Sequence, residues 1–160
     1  MGRAPSTLPI SPFSIPEERP FLSSLNSAIL GALDVRNVVA DLKKLNRHER
    51  LFICVDTFLT EAEAGGVSHF FCYDCADLYD QVLLGLEEIG ARSTRGRLEL
   101  YVNRVFGGEI PKSVTARQYA LEALSAEEEE EAGRVVSDLS EVVSQLASWA
   151  KAHREQFRLR

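Results

Sequence analysis

Residues 47–64, RHERLFICVDTFLTEAEA, carry apolar side chains around most of a helix's circumference. Leu51, Phe52, Cys54, Val55, Phe58 and Leu59 leave little room for a solvent face. A helix that is apolar on nearly every side has to sit inside, so the remaining elements must be arranged around this one. Asn46 stands where it can cap the start of the segment. Gly65-Gly66 ends it, because glycine accepts the left-handed backbone that closes a helix.

Amphipathic stretches flank this centre. Upstream, Phe21, Leu25, Ile29 and Leu33 recur four apart, and Asp34 is placed to cap a short helix holding Val35, Val38, Val39 and Leu42. Downstream, Leu78, Val82, Leu86 and Ile89 form a stripe that stops at Gly90, and Leu98, Tyr101, Val102 and Val105 form another. A loop with Gly107, Gly108 and Pro111 precedes a short helix over residues 116–124. Ser125 and Glu128 make a capping box, and Val135, Leu139, Val142, Leu146 and Trp149 mark a last amphipathic helix. Neither an alternating strand pattern nor an internal repeat is present. The expectation is an all-α, single-domain helical bundle of six to eight helices over residues 17–160, with a short Gly-Gly elbow between central helices. Residues 1–16 hold four of the six prolines and are expected to form an extended or disordered leader.

At 160 residues, 45% of them hydrophobic, the chain suits one domain with a sizeable core. No apolar run approaches the ~20 residues needed to span a bilayer. Three cysteines, Cys54, Cys72 and Cys75, cannot make a fully paired disulfide framework, in keeping with a reducing compartment. The expectation is a soluble, cytoplasmic protein that does not engage a membrane.

The net charge of −6 is unevenly spread. Residues 54–91 contain Asp56, Glu61, Glu63, Asp74, Asp77, Asp80, Glu87 and Glu88 and not one Lys or Arg. Such a window repels nucleic acid and attracts basic partners. A second acidic run, Glu127 to Glu131, suits a helix N-terminus, where the macrodipole favours carboxylates.

The elbow, EAGGVSHFFCYDC, concentrates reactive residue types. His69, Cys72 and Cys75 are spaced three apart, and Cys54 could serve as a fourth zinc ligand. A structural zinc site normally takes two Cys-x2-Cys pairs, however, and Phe70, Phe71 and Tyr73 interleave these residues as core packing would. Packing is therefore the stronger reading, with a metal- or thiol-dependent module as the alternative. Ser68 and His69 are neighbours and cannot face one another on a helix, and no phosphate-cradling glycine loop occurs. Asp56 and Glu63 share a helix face, as do Asp77 and Asp80. Acid–base chemistry would need them to converge in a pocket, so no enzyme activity and no cofactor are expected.

The segment LTEAEAGGVSHFFCYDCADLYDQVLLGLEEIGA resembles the signature region of the DNA-mimic protein family, a bacterial domain mostly of unknown function. Glu61, Gly65, Gly66, Phe70, Phe71, Asp77, Ile89, Gly90 and Ala91 fall on the family's pattern, and AHREQF near the C-terminus resembles its closing helix. Departures are concentrated at polar positions. The Asn before the glycines is Ala64, the following aromatic is Val67, the Gln is His69, the Asn of the turn is Tyr73, and a Ser pair is replaced by Asp74 and Cys75. The resemblance implies an all-α, acidic, non-enzymatic protein that engages a basic protein such as a helix-turn-helix regulator, without contacting nucleic acid itself. The residues expected to meet that partner are Glu61, Glu63, Asp74, Asp77, Asp80, Glu87 and Glu88. Gly65, Gly66, Phe70 and Phe71 are the structural elbow. A homodimer fits the last amphipathic helix, and a toxin-neutralising immunity-type protein is a further reading of the same acidic surface.

Overall fold

The computed structural model describes residues 10–134 and 139–159. Those residues form nine α-helices joined by short 3-10 turns, with no strand among them, in a single all-α bundle. The helices are α1 (Glu18–Ala32), α2 (Val38–Asp41), α3 (Arg47–Gly65), α4 (Val67–Phe71), α5 (Tyr79–Glu88), α6 (Arg92–Phe106), α7 (Val114–Glu122), α8 (Ala126–Arg134) and α9 (Leu139–Ala152). The count exceeds the expected upper limit by one because the elbow itself coils into α4, a helix of five residues.

α3 is the central element, packed against α1, α4, α5 and α9. Phe52, Ile53, Cys54, Val55, Phe58 and Leu59 are all fully buried. Its start is a capping box: the Asn46 side chain accepts from the Glu49 amide, and Glu49 Oε2 accepts from the Asn46 amide. A second capping box joins Ser125 and Glu128 at the head of α8. Asp34 does not cap α2. It takes a positive φ of 49° in the turn, and Asn37, whose Oδ1 accepts from the Ala40 amide at 3.0 Å, is the cap. Asx side chains suit both jobs, and the turn uses the Asp for its left-handed residue.

Residues 12–14, inside the stretch expected as leader, form a 3-10 turn. Pro12 is buried, and Phe13 lies with its ring 5.5 Å from Phe21 and 6.1 Å from Phe157. Apolar burial outweighs the lack of regular hydrogen bonding there. In the last helix Val142, Leu146 and Trp149 are buried as the pattern implies, and Val135 lies outside the described residues. No helix among the described residues is long and apolar enough to cross a membrane.

Candidate functional site

The elbow turns the chain from α3 into α5. Gly65 is the last residue of α3, and Gly66 alone carries the positive φ, 79°, that breaks the helix. Gly65 is small for another reason: a Cβ there would stand 2.6 Å from His69 Cδ2. Phe70 and Phe71 are fully buried. Phe70 meets Phe58 edge-on at 5.4 Å, while Phe71 stacks on Tyr101 at 5.6 Å and touches Phe106. Ring pairs of this kind add to the area that they bury, so the two phenylalanines anchor the elbow in the core.

A residue that sequence reasoning missed holds the elbow from outside. Arg117, on α7, is 1% exposed. Its guanidinium donates to the carbonyls of Phe71 (2.8 Å), Tyr73 (2.9 Å), Pro111 (2.9 Å) and Lys112 (3.0 Å). Gln118 adds a bond from Nε2 to the Cys72 carbonyl at 3.2 Å. Only a guanidinium presents enough N–H groups in one plane for this task. A lone Arg in an amphipathic helix gives no local sign of it.

The reactive residue types of the elbow point to different neighbours. His69 Nδ1 lies 2.7 Å from Glu61 Oε2, off the axis of a directed hydrogen bond, and its ring meets Tyr73 edge-on. The Cys75 thiol donates to the Phe70 carbonyl at 3.1 Å, and burial pushes its pKa up to about 11. Burial also raises the Cys72 thiol, and carries that of Cys54, deep in α3, to about 12. A thiol held protonated is a poor nucleophile and a poor ligand. Among the described residues no three His, Cys, Asp or Glu converge as metal ligands. At the family's departures, Ala64 is exposed, Val67 is buried and Tyr73 is half exposed.

The eight carboxylates of residues 54–91 separate into two groups. Glu63 pairs with Arg19 of α1, Glu87 with Arg92 and Arg95, and Glu88 with Arg47. Glu61 is engaged by His69, and Asp56 is buried with Asn26. Asp74, Asp77 and Asp80 are exposed and have no cationic partner among the described residues. Asp74 and Asp77 belong to the 3-10 turn Asp74–Leu78, in which residues three apart eclipse one another. Asp80 follows three residues on, in the first turn of α5, where the helix dipole favours it. The three thus recur at every third residue along one short stretch of chain. Asp77 and Asp80 also line a shallow cleft of about 300 Å³ with Glu109 and Lys112. In the second acidic run Glu128 is used as a cap and Glu131 pairs with Arg104 at 2.7 Å.

A compact helical domain whose elbow is built for packing belongs to the class of small all-α proteins. The family model described as DMP19-like protein matches residues 43–157, and the chain belongs to that family. No curated protein and no solved structure matches it. The elbow motif that carries the resemblance lies wholly inside the matched residues.

Proposed function

We propose that this protein is a non-enzymatic binding protein that offers an acidic helical edge to a basic protein partner, in the manner of a DNA mimic. The observation that carries the reading is the row Asp74, Asp77 and Asp80, three exposed carboxylates at three-residue spacing with no ion-pair partner among the described residues. Arg and Lys side chains that normally contact DNA phosphates would meet these groups through the same charge-assisted hydrogen bonds. A helix-turn-helix regulator presents such a surface. Membership of the DMP19-like family supports the reading, as does the pairing of Glu63, Glu87 and Glu88 with arginines of the fold, which leaves Asp74, Asp77 and Asp80 as exposed carboxylates without an ion pair among the described residues.

The test is affinity capture from the native host at low salt, with mass spectrometry of what is retained. The triple reversal Asp74→Lys, Asp77→Lys, Asp80→Lys should lose the basic partner while its circular dichroism stays unchanged. Retention of the same partner by the reversed protein would refute the acidic edge as the contact. Binding of the partner should weaken steeply between 50 and 300 mM salt, on the order of the Debye screening of exposed charges.

A further inference from the structure

A second polar feature lies along α3. Between α1 and α3 is an open cavity of about 330 Å³, lined by Ser23, Asn26, Asp56, Thr57, Thr60 and Glu61 together with Arg19. Asp56 is 6% exposed. Asn26 Nδ2 donates to its Oδ2 at 2.5 Å, and Oδ1 receives no donor among the described residues. Among the described residues no Lys, Arg or His makes an ion pair with Asp56; Arg19, in the same cavity wall, pairs with Glu63 and acts on Asp56 only as a nearby charge. Burial pushes the Asp56 carboxyl above its ordinary range, outweighing the Asn26 hydrogen bond and the Arg19 charge that lower it.

The cavity continues into a groove of about 520 Å³ that shares Thr57 and Glu61 with it. That groove has Val38, Val39 and Leu78 in its wall and reaches Tyr73 and Asp74. Cavity and groove thus adjoin along α3, and the groove reaches Asp74, the first of the three exposed carboxylates. α1, which supplies one wall of the cavity, lies outside the residues matched by the family model.

We propose that this cavity receives an arginine side chain of the basic partner, with Asp56 as its counter-charge. The assignment rests on the reading of the protein as a binder of a basic partner. A guanidinium suits the site better than an ammonium because its five N–H groups can reach the free Asp56 oxygen and the surrounding hydroxyl acceptors together. Ser23, Thr57 and Thr60 each supply such an oxygen, and Glu61 adds negative charge at the rim. The groove takes the chain on either side of that arginine.

The experiment is a titration of the full chain with Ac-Gly-Arg-Gly-amide, followed by ¹H–¹⁵N spectra, with the citrulline peptide as the neutral isostere and methylguanidinium as the free head group. The arginine peptide should shift the amides of Asp56, Thr57 and Thr60, and the citrulline peptide should not. Asp56→Asn, which removes a buried charge and keeps the shape, should weaken the arginine peptide at least tenfold. Thr60→Arg, an exposed rim position, should fill the cavity from within and abolish the shifts. Equal shifts from the two peptides, or unchanged binding by the Asp56→Asn protein, would overturn the assignment. Binding of methylguanidinium with a silent arginine peptide would also overturn it, in favour of a site for a small solute. These titrations contain no partner protein. Their failure would leave partner capture intact, and failure of the acidic edge would appear only in the triple reversal.

Discussion

Arg117 is the residue with the largest structural task for the least local signal. It satisfies four carbonyls of the elbow and the α6–α7 loop while buried and, among the described residues, without a carboxylate partner. Arg117→Ala should lower stability by ~3 kcal/mol or more, because buried acceptors lose their donor. Arg117→Lys should recover little of this, since a point ammonium cannot span the four carbonyls. Denaturant unfolding monitored by the fluorescence of Trp149 measures both. The glycines of the elbow separate in the same assay. Gly66→Ala forces a side chain into φ 79° and should cost ~1 kcal/mol. Gly65→Ala should instead push against His69, whose Cβ would lie 2.9 Å from the new methyl, and displace its ring from Glu61. Asp56 contributes in the opposite sense to most carboxylates. Its folded pKa is raised, so its contribution to stability is complete below the unfolded value of 3.8 and lost as pH rises through the folded one. The Asp56→Asn protein should therefore be the more stable of the two at neutral pH, with the difference vanishing in acid.

At the scale of the element, α3 and α5 pack closely at Gly85. A Cβ on Gly85 would stand 2.4 Å from Val55 Cγ2 and 3.2 Å from the Leu51 carbonyl. Gly85→Ala should thus overpack this contact and cost ~1–3 kcal/mol in thermal unfolding, even though alanine is the better helix former. Devices that act within one turn were legible in the sequence. The caps at Asn46 and Ser125, the stop at Gly90 and the apolar circumference of α3 all follow from residues three or four apart. What could not be read needs partners far along the chain. Arg117 reaches carbonyls 44 and 46 residues away, and Arg19 reaches Glu63. The acidic window divided for the same reason: its unpaired members are those that neither α1, α3 nor α6 meets with an arginine. The α2 cap was misplaced because Asp34 and Asn37 carry similar signals, and only the turn geometry separates them.

For the molecule as a whole, the residue that closes the fold is Glu49. It is fully buried, and Arg158, 109 positions on, donates to it from the backbone N–H and from Nε and a terminal guanidinium nitrogen. Burial works against its charge, but the Arg158 guanidinium and the Asn46 and Arg158 amides hold its carboxyl below the usual range. Its contribution is present above the unfolded value of 4.5 and is lost as pH falls through the folded one. Glu49→Gln should flatten the acid limb of the stability curve, which urea unfolding across pH 3–6 measures. Asn46 Nδ2 and the Lys44 carbonyl bind the same terminal segment, through the Gln156 carbonyl and Arg158. This arrangement has a consequence for how the chain is made. While it emerges from the ribosome, α3 can coil, but its first turn carries an uncompensated carboxylate until Arg158 has been synthesised. Commitment to the native bundle therefore waits until Arg158 has been made, and a nascent chain halted before Arg158 should stay sensitive to protease along α3.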